Sequence, residues 1–146
     1  KQLPVFLLLF LMVLFFGFLP TLAWVALLPL IFAQFLLLVS IGFLLALLVP
    51  FMRDLQIAIQ SGITFLLFMS GIFYDILEMP IGVRELFLLN PIANLVVQYR
   101  TILLEGEWPS LSGILFILGF SGLLLLGNWL LYRRTRGLYA KILVEE

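Results

Sequence analysis

Residues 88–110 read LLNPIANLVVQYRTILLEGEWPS, and this stretch decides how the chain folds. Asn90 is a residue type that caps helix N-termini, and Pro91 suits the first helical position. Gly106 is well placed to end the helix. The pattern predicts a helix from Pro91 to about Glu105. At 1.5 Å per residue it would be about 22 Å long, too short to cross a hydrocarbon core about 30 Å thick.

The predicted helix has a polar face and an apolar face. At about 100° per residue, four polar side chains fall on one stripe: Asn94, Gln98, Thr101 and Glu105. The opposite face is formed by Ile92, Leu95, Val96, Tyr99, Ile102 and Leu103. Arg100 lies on the flank, nearer the apolar face. One face can therefore meet lipid or protein while the other meets water or a polar cargo.

The composition places this helix in a membrane protein. Apolar residues make up 64% of the 146 residues and charged residues 11%, whereas soluble proteins contain roughly 45–50% apolar residues. The net charge is zero, which argues against a nucleic-acid partner. Because the chain contains no Cys and no His, thiol catalysis, imidazole catalysis and Cys or His metal ligation are excluded within it. No Asp/Glu cluster suggests a metal site, and no catalytic residue is predicted.

Four apolar runs predict four membrane spans, at about residues 4–20, 24–51, 55–74 and 111–132. Pro20 and Pro50 end the first two runs. The tail, residues 133–146, opens with Arg133-Arg134-Thr135-Arg136. Basic residues beside a span mark the cytoplasmic side, so the C-terminus is predicted to be cytoplasmic and segment 74–110 to lie outside.

Segment 74–110 is predicted to contain two short elements. The first, Ile76 to Leu89, is broken by Pro80 and Gly82; the second is the helix that begins at Pro91. The predicted fold is therefore an all-α integral membrane protein with four transmembrane helices. A short re-entrant helical hairpin lies between the last two helices on the outer side. The alternative is an amphipathic helix lying flat on the outer surface, with Arg100 snorkelling to the headgroups.

Polar residues within the spans allow two interpretations. Three recur every four positions on the third span: Gln56, Gln60 and Thr64. They either line a route for a hydrophilic cargo or form hydrogen bonds between helices. The pair Arg53-Asp54 either marks the inner interface or contacts a cytoplasmic partner. Gln34 and Asn128, each alone in its span, are interpreted as packing contacts.

Aromatic residues border the outer segment: Phe73, Tyr74, Phe87, Tyr99 and Trp108. Aromatic rings pack against the C–H faces of sugars, so a ring of these side chains would suit a glycan passing outward. The chain contains no Walker A pattern, and it therefore cannot cradle ATP phosphates itself.

Together these features resemble a known family. The motifs are FMRDLQIAIQ at 51–60, SGIFYDILEMP at 70–80 and the stretch at 88–110, followed by a Gly-rich last span and a basic tail. Their order resembles the C-terminal half of the permease subunit of type-2 ABC exporters. Within that group it resembles the branch that exports O-antigen, capsule or teichoic acid polysaccharides on lipid carriers.

The resemblance implies a pore made of two permease copies, each with six spans, above two separate nucleotide-binding subunits that hold ATP and Mg. The two elements of segment 74–110 would form an outer gate. The implied gate and sugar-contact residues are Phe73, Tyr74, Phe87, Asn90, Pro91, Tyr99 and Arg100. The implied pathway-lining residues are Gln56, Gln60, Thr64, Asn94 and Gln98. Arg53 and Asp54 would lie at the cytoplasmic entrance.

The family also has two earlier spans, an N-terminal amphipathic helix and a coupling helix, which have no counterpart in these residues. We therefore expect the chain to be the C-terminal part of a six-span permease in a bacterial cytoplasmic membrane. In the implied mechanism, ATP-driven closure of the partner subunits opens the outer gate, and a lipid-linked glycan is threaded outward.

Two other functions remain open at this point. One is a drug- or lipid-exporting permease of the same superfamily; the other is a structural membrane protein without a transport role. An intramembrane enzyme is disfavoured because no convergent acid, base or nucleophile set is visible.

Overall fold

The computed structural model describes residues 3–17, 21–51 and 55–142. Its α-helices are α1 (Leu3–Phe15), α2 (Leu27–Leu48), α3 (Leu55–Met69), α4 (Ile81–Leu88), α5 (Pro91–Arg100) and α6 (Leu111–Ile142). Two 3₁₀ turns, Leu22–Ala26 and Val49–Phe51, flank α2, and a π-helical turn, Thr101–Glu105, extends α5. The described residues contain no β-strand. The all-helical prediction is confirmed to this extent.

The centre of the structure is the packing of α2 against α6. Within the described residues, two helical stretches are long and apolar enough to cross a membrane: Leu22–Leu48 and Leu111–Thr135. Their shared core contains buried Leu30, Ala33 and Ile117. Because lipid tails are as apolar as these side chains, close van der Waals packing rather than exclusion of water holds the two helices together.

A polar contact crosses this helix pair. The Asn128 side chain is buried and donates from Nδ2 to the Ser40 carbonyl of α2 at 2.7 Å. The Ser40 hydroxyl donates to the Leu37 carbonyl in its own helix at 2.7 Å. The interpretation of Asn128 as a packing residue is therefore confirmed, and a small residue at position 40 lets the amide reach the α2 backbone.

The first and third predicted spans are short in the structure. Helix α1 has 13 residues and α3 has 15, so α3 is about 22 Å long at 1.5 Å per residue. Neither helix, as described, is long enough to cross a membrane on its own. Two spans are thus supported directly, with a third if the bent α4–α5 pair crosses; four spans remain a prediction. Helix α6 continues to Ile142, past the predicted end of the last span at residue 132.

Segment 74–110 contains two helices, α4 and α5, with a bend of 107° between them. Local sequence explains the corner: the Asn90 side chain accepts a hydrogen bond from the Ile92 N–H at 3.0 Å, and Pro91 occupies the first turn of α5. Gly106 ends the π-helical turn with a φ of +69°, as its predicted C-terminal position requires. One expectation was wrong: Gly82 lies inside α4 and does not break it.

The Asn128–Ser40 contact gives a first test. We expect Asn128→Leu to lower the free energy of unfolding by about 1 kcal/mol, the usual contribution of a hydrogen bond between membrane helices. Unfolding in mixed detergent micelles measures this change. Thr135→Val is the matched control because its hydroxyl bonds only within α6, to the Leu131 carbonyl. Equal stability of the two variants would contradict a stabilising contact between α2 and α6.

Candidate functional site

A cavity of about 750 Å³ lies between α4, α5 and the first turns of α6. All four residues of the predicted polar stripe line it: Asn94, Gln98, Thr101 and Glu105. Arg84 of α4 and Trp108, just before α6, also contribute to the lining. The polar stripe predicted from the sequence therefore faces a cavity in the structure.

Two residues of this stripe form hydrogen bonds within the protein. Asn94 and Gln98 are only 7% and 4% exposed, and the Gln98 amide donates to Asn94 Oδ1 at 3.0 Å. It also donates to the Ser110 hydroxyl at 3.0 Å, while its own Oε1 accepts from the Ser110 N–H at 2.8 Å. The Ser110 hydroxyl accepts from the Gly113 N–H at 3.3 Å, as a helix N-cap does. The Gln98 side chain thus joins α5 to the first turn of α6.

Gly113 makes this junction sterically tight. A Cβ atom at this position would collide with Gln98 Nε2 and would lie 2.7 Å from Ser110 Oγ and 2.8 Å from Asn94 Oδ1. Glycine is therefore the residue that lets the α5 amides reach the backbone of α6. By contrast, a Cβ at Gly119, Gly122 or Gly127 of the same helix would meet nothing within 4 Å.

The apolar side of α5 packs on the two long helices. Ile102 is fully buried in the same core as Leu30 and Ile117, and Ile92 and Leu95 pack against that core. The Tyr99 hydroxyl donates to Gln34 Oε1 of α2. Gln34 is thus a contact residue, as interpreted from the sequence, and the Tyr99 hydroxyl is used within the protein.

Arg100 fastens α5 to the loop that follows α3. Its guanidinium donates to the Tyr74 carbonyl at 3.1 Å and to the Ile72 carbonyl at 3.2 Å. It also lies 3.8 Å from the Asp75 carboxylate. The planar guanidinium can bridge two carbonyls at once, which an ammonium group does less well. Arg100 is therefore part of a clasp, defined here as Arg100 with residues 72–75.

The predicted aromatic contacts do not form one ring. Tyr74 and Phe87 stack edge to face with centroids 5.8 Å apart, and the Tyr74 hydroxyl donates to the Phe68 carbonyl at 2.8 Å. Phe73 is exposed beside Phe68. Of the five aromatic residues named from the sequence, only Trp108 lines the cavity.

The third-span candidates lie apart from this cavity. Gln60 and Thr64 are exposed on α3, where the Thr64 hydroxyl donates to the Gln60 carbonyl at 3.1 Å. Neither lines the cavity. Arg53, Asp54 and the side chain of Gln56 fall outside the described residues. Their assignment to a pathway and its entrance stays a prediction.

Sequence reasoning missed Ser110, Asp75 and the special position of Gly113. Ser110 carried one signal, since a serine directly before an apolar helix is a typical N-cap. The contact of Arg100 with residues 72–75 had none, because the partners are more than 20 positions apart in the chain. Among the described residues, no group of three His, Cys, Asp or Glu side chains is arranged to hold a metal ion.

The α5–α6 junction predicts that Gly113→Ala is costly. Because the new methyl group forces the buried amides apart, we expect the free energy of unfolding to fall by about 1–3 kcal/mol. Gly119→Ala, where the methyl group meets nothing, should change it by less than about 1 kcal/mol. Unfolding in mixed micelles compares the two. Equal effects would mean that helix propensity, not the junction, controls the response.

The clasp predicts that Arg100→Met loosens residues 72–75. Loss of two charge-assisted hydrogen bonds should cost about 1–2 kcal/mol, with little from the partly exposed ion pair. Hydrogen exchange of the amides at 72–75 should become faster. Arg134→Met, at the far end of α6, is the control. Unchanged exchange in the Arg100 variant would show that these carbonyls do not depend on the guanidinium.

Comparison with known families agrees with this architecture. The profile described as ABC-2 type transporter matches residues 2–104, which run from the start of the chain to the π-helical turn after α5. No curated protein and no solved structure compared with the chain matches it. Within the described residues, two helices are long and apolar enough to cross a membrane, and the family profile covers most of the sequence. The chain therefore belongs to the ABC-2 type transporter family and is a multi-pass membrane permease component of an ABC transporter.

Proposed function

We propose that the chain forms part of the channel of an ATP-driven exporter that moves a lipid-linked polysaccharide across the bacterial cytoplasmic membrane. One observation carries the proposal. The polar stripe of α5 faces a cavity while the opposite face of the same helix packs on the long helices. A helix placed in this way can offer hydrogen bonds to a hydroxyl-rich cargo without losing its attachment to the protein.

The energy source would lie on a partner. The chain has no phosphate-binding loop, and membership of the ABC-2 family implies an ATPase subunit. We propose two copies of the permease and two of the ATPase, with ATP and Mg bound by the latter. The basic tail would face the cytoplasm, and Arg53-Asp54 would lie near the cytoplasmic entrance.

The α4–α5 hairpin would be the outer gate. Its cavity-facing residues, together with Gln56, Gln60 and Thr64 on the third span, would contact the glycan during passage. Asn90 and Pro91 would set the corner of the hairpin, while Arg100 and Tyr99 would hold its base. In the proposed channel, each chain contributes four spans, and these residues act within it.

The second candidate is export of a drug or lipid by the same kind of permease. It is favoured by apolar parts of the cavity lining, such as Leu88, Leu89 and Phe116. The two candidates differ in cargo, so the cargo that stimulates ATP hydrolysis decides between them. A structural role without transport predicts no ATPase partner at all.

The test uses the full-length protein extracted with its membrane neighbours. Native mass spectrometry should find two copies bound to two copies of an ATP-binding protein. Lipid-linked glycan, and not hydrophobic small molecules, should stimulate ATP hydrolysis by this complex. Stimulation by the small molecules alone would favour the second candidate, and absence of any ATPase would favour the structural role.

The cavity predicts a selective defect in Thr101→Val/Glu105→Gln. Both residues line the cavity but take no part in the Asn94–Gln98–Ser110 hydrogen bonds. The double variant should therefore insert normally and show several-fold weaker stimulation by glycan. Leu104→Ala changes an exposed neighbour that does not line the cavity and should behave as the wild type. Wild-type stimulation in the double variant would count against a cargo-facing stripe.

A further inference from the structure

The two arginines of segment 74–110 are used differently. The Arg100 guanidinium donates hydrogen bonds to two carbonyls and pairs with the Asp75 carboxylate. The Arg84 side chain has no hydrogen bond or ion pair within the described part of the chain, and its Nε atom is buried without a partner. A buried guanidinium N–H without an acceptor is unfavourable. An acceptor from outside the chain would remove this cost.

Arg84 lies in the lining of the α4–α5–α6 cavity, together with three carboxylates: Glu85, Glu105 and Glu107. None of the three lies within ion-pairing distance of Arg84 in the described structure. Positive and negative groups are therefore both present on the cavity wall but do not neutralise each other. A ligand that carries both an anion and a cation matches this wall better than a simple anion, which the carboxylates would repel.

The position of the cavity along the last span further restricts the class of ligand that would fit. Its lining runs from Trp108, before the last span begins at Leu111, to Phe116 within that span. At 1.5 Å per residue, Phe116 lies about 8 Å beyond the start of the span. Trp side chains are enriched at headgroup depth. In a bilayer crossed by this span, the polar wall would lie at headgroup depth and the apolar wall would lie where acyl chains begin.

We propose that this cavity binds a phospholipid with a zwitterionic, amine-bearing headgroup. The phosphate accepts hydrogen bonds from the Arg84 guanidinium, whose planar fork suits phosphate oxygens. The ammonium group lies toward the carboxylates, and the first part of an acyl chain follows Leu88 and Phe116. The lipid would occupy this cavity between transport events, whichever cargo the transporter moves.

The experiment is a lipid titration of the purified full-length protein in detergent, followed by native mass spectrometry. Phosphatidylethanolamine and phosphatidylglycerol are compared on the wild type, Arg84→Gln and the control Arg134→Gln, which removes an exposed arginine outside the cavity. The wild type and the control should bind phosphatidylethanolamine with equal affinity and prefer it over phosphatidylglycerol. Arg84→Gln should weaken binding at least about tenfold, because a charge-assisted contact is lost.

A second variant covers the case in which Arg84→Gln does not fold. Glu105→Gln/Glu107→Gln changes only exposed side chains and should reduce the preference for phosphatidylethanolamine over phosphatidylglycerol. Equal binding of both lipids by the wild type, or an unchanged preference in this double variant, would overturn the zwitterion assignment. Competition by inorganic phosphate as effective as competition by the lipid would show that the cavity binds free phosphate, and would overturn the lipid assignment. Unchanged affinity in a folded Arg84→Gln protein would exclude the guanidinium as the contact.

Discussion

The hydrogen bonds of the buried Gln98 amide are the constraint on which the arrangement of α5 depends. A buried amide left without partners costs about 1–3 kcal/mol per group. The Gln98 side chain must therefore find its hydrogen-bond donor and acceptor within the protein. Ser110 offers both, at the first turn of α6. Once Gln98 faces α6, helical geometry directs the neighbouring positions elsewhere: Tyr99 reaches α2, and Arg100 reaches the loop after α3.

A single helix of ten residues and its π-helical turn are thereby connected to three other elements. This explains how α5 stays in place although it is too short to cross the membrane. It also limits how the proposed gate could open. A movement of α5 alone would break the Gln98, Tyr99 and Arg100 contacts together, whereas a movement that carries the first turn of α6 with it keeps the Gln98–Ser110 bonds. In the proposed gate, the Gln98–Ser110 bonds would therefore keep α5 and the start of α6 together.

The features predicted correctly from the sequence are those with local causes. Asn90, Pro91 and Gly106 act within a few residues of themselves, and the helix between them begins and ends where they indicate. Hydropathy alone found α2 and α6. The direction of Arg100, the tightness at Gly113 and the separation of the aromatic residues depend on parts of the chain far away in sequence. Periodicity on one helix contains no information about such partners.

The polar residues of the candidate site fall into two groups. Some already have hydrogen bonds within the protein, and the others do not. Asn94 and Gln98 have their hydrogen bonds within the protein, so a cargo that contacts them must compete with those bonds. The Arg84 side chain has no hydrogen bond in the described structure. Thr101 and Glu105 line the same cavity but take no part in the amide hydrogen bonds. Because a free donor or acceptor gains more from a ligand than one already paired, recognition is expected at these three side chains rather than at the paired amides. The amides then serve to hold α5 against the first turn of α6.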